Sequence, residues 1–472
     1  MPETKVKKDE DFNEWYNEIV ELAELCDKRY PIKGMNVWRP YGWSIMQNID
    51  NLIREEMSRT GHLEVYFPLL IPESLFKKEE EHIEGFSSEV FWVTHAGENP
   101  LEEKWLLRPT SETAMYPIFS LWIRSHSDLP LKTFQIVNTF RYETKQTRAF
   151  IRVREIHFFE AHTCHKDFED AEKQIKEDLE IAERFFQKLS LPYTLNKRPE
   201  WDKFAGAYYT ISIDVMMPSG RTLQLGSIHQ YRDNFARPYN IIYEDINGDH
   251  KYCHQTTYGM SERILGAIIG IHGDNRGIIL PPAVAPIQIV IIPIIFKGKE
   301  EIVENKCKKI KEILDKIGLR TLIDSRDITP GSKYYDWELK GVPLRLEIGP
   351  KDVENKQVTA VRRDNFEKIQ VKENEIKEII PEILGLISKN LFDKAKKLLD
   401  NNIKKFENVE DAKNKTGIIQ LPWCGREDCA LKMEEELDVK TLGTPFVEEQ
   451  CSLNCPICGE KAKNWVRLAK TY

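Results

Sequence analysis

The sequence predicts an α+β domain built on antiparallel strands, then an α/β domain, then a small α+β domain carrying a cysteine cluster. Three observations lead there. Helical stripes and strand-like aromatic and β-branched runs mix through residues 1–283, strand and helix alternate over 284–383, and five of the nine cysteines crowd into 384–472. A chain of 472 residues also exceeds what one core usually serves.

In the first domain Phe12, Trp15, Tyr16, Ile19, Leu22, Ala23 and Cys26 keep the three-to-four spacing of one helix face. A second helix follows Pro40, striped by Ile45, Ile49, Leu52, Ile53 and Met57 and ended by Gly61. Leu63 to Phe67 reads as a strand stopped by Pro68. From Lys132 to Thr163 aromatic and β-branched residues alternate with Arg and Glu, predicting two strands joined by the polar loop Thr144 to Arg148. Asp167 is placed to cap a long amphipathic helix. Turn-rich strands fill Thr210 to Asp245, and a helix near Ser261 to Ile271 leads to the Pro281-Pro282 break.

Ile287 to Phe296 is a continuous apolar run of the kind buried on both faces of a parallel sheet, and it opens the α/β domain. A helix with Val303, Cys307, Ile310 and Leu314 follows, then a strand Arg320 to Asp324 and a helix after Pro330. Strands Pro343 to Ile348 and Gln357 to Arg362 complete the alternation. The last domain starts at about Leu384 with a lysine-rich helix.

Composition narrows the function classes. With 41% apolar and 31% charged residues the chain suits a globular protein in water, and no apolar run approaches the roughly 20 residues of a membrane span. The opening Met1-Pro-Glu-Thr-Lys-Val-Lys-Lys lacks an apolar stretch, so no secretory signal is expected and a cytoplasmic location is. A net charge of −8 argues against a wholly basic nucleic-acid binder, although a local basic face would still serve RNA. In a reducing compartment the crowded cysteines read as metal ligands before disulfides. Cys424-x4-Cys429 and Cys455-x2-Cys458 make a tetrahedral thiolate set for which zinc is the best metal, in a structural role, with Cys451 as a spare; a reduced metal-free cluster is the other reading.

Phe140-Arg141-Tyr142-Glu143 ends a predicted strand, and Arg152-Val153-Arg154-Glu155 follows the loop. Alternation puts Arg141 and Glu143 on one side of their strand and Arg152 and Arg154 on one side of the next. Guanidinium forks suit phosphate oxygens and a carboxylate can accept from an exocyclic amine, so these residues fit a nucleotide floor. They also fit a cross-strand ion-pair ladder.

This stretch resembles the second signature motif of the class II aminoacyl-tRNA synthetases, in which a Phe-Arg-x-Glu strand, a loop and an Arg strand hold ATP. Its continuation to Glu160-Ala161-His162-Thr163 is similar to the prolyl enzymes, with a departure: members often have Trp-Gln-Glu-Gly-His where this chain has Phe158-Phe159-Glu160-Ala161-His162. Helix 41–60 and the strand ending at Pro68 resemble the first motif, which implies a homodimer. Tyr258-Gly-Met-Ser-Glu-Arg263 resembles the third, where a helix-opening arginine and the amide dipole can both serve a polyphosphate. Thr110-x-Glu112 is similar to the loop that takes the proline imino group, and its two acceptors match the two N–H donors of a secondary ammonium; it also suits a helix N-cap. Leu223 to His229 and Lys203-Phe204-Ala205-Gly206 resemble two further family segments.

The resemblance implies a class II synthetase fold in which Arg141 and Arg263 are catalytic. Proline contacts would come from Thr110, Glu112, Arg141, Phe158, His162, Phe204 and His229. ATP, with Mg2+, would meet Arg141, Glu143, Arg152, Val153, Gln224, Ser227, Ser261 and Arg263. The run Pro330 to Asp352 is similar to the anticodon-binding domain of several class II enzymes, and implies Glu338, Arg345, Glu347, Lys351 and Asp352 as tRNA contacts. The expected reaction joins L-proline and ATP to prolyl-adenylate and then moves the prolyl group to the 3′ end of tRNA(Pro), by alignment and charge stabilisation. Fewer than 100 residues separate His162 from Gly259, too few for the large editing insertion of many bacterial prolyl enzymes. The chain therefore resembles the archaeal and eukaryotic type, whose C-terminal extension carries zinc. A threonyl or histidyl enzyme and a noncatalytic RNA-binding paralogue are the alternatives; Thr110-x-Glu112 argues against the first, and the three arginines Arg141, Arg152 and Arg263 against the second.

Overall fold

The computed structural model describes residues 4–79 and 88–472. Helix α1 (Phe12–Leu22) starts at Asp11, whose side chain accepts from the N–H groups of Asn13 and Glu14, and it buries Trp15, Tyr16 and Ile19. Helix α2 (Pro40–Arg59) opens on proline, which lacks only an N–H the first turn could not use, and buries Ile45, Ile49, Ile53 and Met57. Strand β1 is Leu63–Glu64, shorter than expected: Val65 N still donates to Phe134 O at 2.8 Å, but Phe67 N turns to the Gln135 side chain at 3.0 Å and the backbone ladder ends.

After α3 (Glu112–Trp122), strands β2 (Leu131–Phe140) and β3 (Glu155–His165) pair antiparallel along their full length, from Leu131 opposite Cys164 to Phe140 opposite Glu155. Helix α4 (Phe168–Lys188) is capped by Asp167, as its sequence predicts. Strands β4 (Thr194–Lys197), β5 (Tyr209–Met216), β6 (Thr222–Arg232) and β7 (His254–Ser261) extend the sheet, and α5 (Arg263–His272) leaves it directly from β7. The pleat divides the work: Phe134, Phe159, Ile211, Ile228 and Met260 face a core shared with α1, α2, α4 and α5, leaving the alternate residues for the other face.

The α/β domain pairs β8 (Ile289–Pro293) in parallel with β9 (Thr321–Ile323), which α6 (Glu300–Asp315) precedes, and with β10 (Leu344–Ile348), which α7 (Pro330–Leu339) precedes. A short helix α8 (Pro350–Glu354) and the antiparallel strands β11 (Gln357–Arg362) and β12 (Lys368–Lys372) follow, so the sheet is mixed. The lysine-rich helix expected from about Leu384 begins earlier: α9 spans Ile376–Asn401, and its Ile380, Ile383 and Ile387 pack with Ile289, Ile291 and Leu346.

Beyond it lie β13 (Ile403–Lys405), β14 (Ile418–Trp423), α10 (Glu427–Leu437), β15 (Lys440–Pro445) and β16 (Asn464–Ala469). These strands are not a separate sheet. Thr444 and Pro445 of β15 pair with Lys197 and Asn196 of β4, giving one 11-stranded sheet in the order β13-β14-β16-β15-β4-β5-β6-β7-β3-β2-β1. Gly443 permits the junction: its φ is +116°, and a Cβ there would lie 2.1 Å from the Lys197 carbonyl oxygen. Among the described residues no helix is long and apolar enough to cross a membrane.

Candidate functional site

A cleft of about 330 Å³ opens on the face of the sheet opposite the helical core. Its floor is Phe158 and Glu160 of β3, Gln224, Ser227 and His229 of β6, and Ser261 of β7; its walls are the β2–β3 connection, the start of α3, the start of α5 and the loop around Phe204. Arg141, Glu143, Arg152 and Arg154 sit on the connection rather than on strands, contrary to the reading from alternation. The cause is visible in the backbone: Arg141 N donates to Arg154 O at 2.9 Å, but Arg154 N turns away to Gly34 O at 2.8 Å and the ladder stops.

One end of the cleft is cationic. Arg263 donates from Nε to Ile151 O at 2.8 Å and from Nη1 to Gln224 O at 3.3 Å, which holds the first turn of α5 against the connection. Arg152 pairs with Glu143 at 3.0 Å, and Arg141 donates to Pro109 O at 3.1 Å. Burial, then the charges of Arg152 and Arg141, push Arg263 down to about 10, so it keeps its proton at neutral pH while its neighbours repel it. Burial also lowers Arg141. Three buried or half-buried guanidiniums that repel one another make a site an anion would stabilise. Phe158 stands at this end, paired in register with Ser261, and not beside His229. Gly259 makes room for it, since a Cβ there would lie 2.9 Å from the Phe158 ring. Phe159 points the other way into the core, against Phe134 and Tyr258.

The other end is an aromatic cup around one carboxylate. Phe204 lies 4.8 Å from the His229 ring, and Tyr231 stacks on His229 at 5.9 Å. Glu112, in the first turn of α3, accepts from the Tyr231 hydroxyl at 3.0 Å and from Thr110. His229 is fixed between Thr210 and Ser227, each 2.9 Å away, and burial, then His162, push it down to about 3, so it is neutral. His162, expected at the proline, does not line the cleft. It lies fully buried behind Glu160, 3.1 Å from that carboxylate and 3.1 Å from the Tyr116 hydroxyl. Burial works against charge on both members, and the contacts between them work the other way and prevail: Glu160 is lowered by His162, Ser111 and Gln135, and His162 is raised by Glu160.

Sequence reasoning passed over Glu160, Tyr231 and the Ser111–Gln135 support. Tyr231 was within reach, because Ser227, His229 and Tyr231 share one face at the strand period. The Ser111 and Gln135 contacts join segments 24 and 49 residues apart and left no local signal.

In the α/β domain Glu338, Arg345 and Glu347 come together: Arg345 donates to Glu338 at 2.8 Å and to Glu347 at 3.0 Å, over the Tyr334 ring at 4.0 Å. Lys351 is exposed nearby in sequence. Asp352 is engaged otherwise, accepting from Gly349 N at 2.9 Å and from the Thr359 hydroxyl at 3.1 Å, which caps α8. In the last domain the sulfurs of Cys424, Cys429, Cys455 and Cys458 all lie within 4.8 Å of one another and could hold a metal ion; Cys451 is not among them.

Comparison with known proteins follows the same division. Residues 91–272 match the family described as tRNA synthetase class II core domain (G, H, P, S and T), 288–383 the anticodon binding domain, and 406–472 the prolyl-tRNA synthetase C-terminal domain. The proline–tRNA ligase of Thermococcus kodakarensis is 57% identical over 100% of both chains, and that of Methanopyrus kandleri 50% identical over 98% of this chain and 96% of its own. Among solved structures, Giardia lamblia prolyl-tRNA synthetase in complex with prolyl-adenylate superposes with a TM-score of 0.96 at 36% identity over 100% of both chains. The Cryptosporidium parvum enzyme, complexed with halofuginone and AMPPNP, gives 0.94 at 35% over 100% of this chain and 99% of that one. A cleft cationic at one end and aromatic at the other, on a fold shared with these relatives along its whole length, identifies the chain as a member of the prolyl-tRNA synthetase family of class II aminoacyl-tRNA synthetases.

Proposed function

We propose that the cleft activates L-proline with ATP and then charges tRNA(Pro), with the proline in the aromatic cup and the nucleotide at the guanidinium end. A proline carboxylate oxygen attacks the α-phosphorus, the bond to pyrophosphate breaks, and prolyl-adenylate forms. The terminal ribose hydroxyl of the tRNA then attacks the prolyl carbonyl carbon and AMP leaves. Both steps build negative charge on oxygens, so alignment and fixed cations supply the catalysis. Arg141, between the two ends, would hold the α-phosphate and the carboxylate together, while Arg152 and Arg263 take the outer phosphates.

Glu143, Val153, Gln224, Ser227 and Ser261 would frame the nucleotide, and Phe158 belongs with them by position. Thr110 and Glu112 would accept the two imino N–H donors, against the walls of Phe204 and neutral His229. His162 acts through Glu160 as support. Mg2+ fits the donor set, because Glu262 lines the cleft with a buried Oε2 that has no hydrogen-bond partner among the described residues. Bound with ATP, the ion neutralises phosphate charge. The convergence of Arg141, Arg152 and Arg263 carries this reading. Arg141→Ala should abolish proline-dependent ATP–pyrophosphate exchange with an unchanged melting temperature; retained exchange would refute the assignment.

On the same reading residues 1–283 perform the chemistry, 284–383 read the anticodon through Glu338, Arg345, Glu347 and Lys351, and 384–472 carry the metal. Zinc is the metal the four thiols suit: bonds of about 2.3 Å in a tetrahedron set sulfur separations of about 3.8 Å. A homodimer through β1 and its neighbours is supported by the exposed Leu63, Tyr66, Leu121 and Trp122, Tyr66 at 80%. A tRNA-charging enzyme of this kind works in the cytoplasm.

A further inference from the structure

Arg363 lies outside the cleft and in the turn after β11, yet it is 3% exposed and uses all three nitrogens. Nη1 and Nη2 form a fork on Asp274 at 2.8 and 2.7 Å, and Nε donates to the Glu338 carbonyl oxygen at 2.9 Å. Each partner is informative. Asp274 follows Gly273, the residue that caps the C-terminus of α5, whose first residue is Arg263 at the cationic end of the cleft. Glu338 lies in the last turn of α7, and its side chain holds Arg345.

The surrounding backbone leaves little slack between these partners. Ile278 N donates to Leu339 O at 3.1 Å and Leu280 N to Gly341 O at 3.2 Å, stapling the chain after α5 to the end of α7. A Cβ at Gly277 would lie 2.4 Å from the Leu339 Cα, and one at Gly341 2.6 Å from the Ile278 carbonyl oxygen. The end of α5 is pinned from its other side, where Lys8 Nζ donates to Ile271 O at 3.2 Å and Trp15 Nε1 to Asp274 O at 3.1 Å. Arg276, two residues past Asp274, lies 3.3 Å from the second Glu338 oxygen. A ten-residue helix spans about 15 Å as a stiff rod, so a shift of its last residue reaches its first.

We propose that Arg363 is a positioning residue that couples occupation of the Glu338–Arg345 pair to the placement of Arg263, through its fork on Asp274 and its third bond on the Glu338 carbonyl. The proposal rests on the reading of Glu338 and Arg345 as anticodon contacts. A base or phosphate that takes Arg345 from Glu338 leaves that carboxylate to Arg276 alone, which redistributes charge over the last turn of α7 and, through Arg363, over the end of α5. Because tRNA engages the α/β domain, the coupling shows only when tRNA is present.

The test uses the full chain and tRNA(Pro) transcripts with the native or a substituted anticodon. Arg363→Lys keeps the charge and loses the fork; Asp274→Asn breaks the same fork from the other side with little change in volume. In both, tRNA-free ATP–pyrophosphate exchange should stay within about twofold. The preference for the native anticodon should fall about tenfold, in kcat rather than KM, within the usual range of site coupling. If both variants keep that preference while Arg345→Ala destroys it, the anticodon reading stands and the coupling role of Arg363 is overturned. If Arg345→Ala also keeps it, the anticodon reading falls and the coupling with it.

Discussion

Two buried histidines here are shifted in opposite directions: Glu160 raises His162, while burial lowers His229, which walls the aromatic cup with Phe204 and Tyr231. His62 shows the same burial effect in a place where stability reads it out. Its Nδ1 lies 2.9 Å from the Thr60 hydroxyl, and burial, then the nearby Lys132 charge, push its pKa down to about 3. An unfolded histidine takes its proton near 6.5 and the folded one does not. The His62 contribution is therefore complete above pH 6.5 and is lost as pH falls toward 3, at about 1.4 kcal/mol per pH unit. His62→Asn should remove about 1 kcal/mol of the loss in unfolding free energy between pH 6 and 5, measured by urea titration. An unchanged slope would mean that folded His62 titrates normally.

At the scale of elements, α5 is the piece whose position matters most to the cleft. Gly266 sits where a Cβ would lie 2.7 Å from the Phe150 carbonyl oxygen, so the helix touches the β2–β3 connection through a bare backbone. Alanine is a better helix former by about 1 kcal/mol, yet Gly266→Ala should lower proline-dependent exchange about tenfold by displacing Arg263 from Arg141. Exchange kinetics beside a thermal melt check this; a raised melting temperature with unaltered kinetics would show that the connection yields. The helices α1, α2 and α4 were legible in the sequence because one apolar face and a capping aspartate or proline are local signals. The strand pair β2 and β3 was equally legible. The connection between them was not, since Arg154 leaves the ladder for Gly34, a partner 120 positions away in the chain, and no alternation records that. Phe158 and Phe159 could be noticed as unusual, but only the register of β3 with β7 shows that one faces the cationic end of the cleft and the other the core.

For the whole molecule, the edge of the large sheet at β1 is an exposed apolar surface, and pairing with a second copy is the simplest way to cover it. Tyr66→Glu should convert a dimer to a monomer in sedimentation velocity, with exchange activity lost in proportion; a variant that stays dimeric would move the interface elsewhere. The join between β15 and β4, inside the same sheet, has a different consequence. Because β15 bonds to β4, the chain leaves the large sheet after the first domain, builds the α/β domain, and returns to the same sheet. The anticodon-reading module is thus topologically an insertion with two anchored ends, and one cut in either crossing would not release it. A nicked molecule would keep its parts together and in order, and evolution could vary that module's length or surface without altering how the two ends of the chain close the fold.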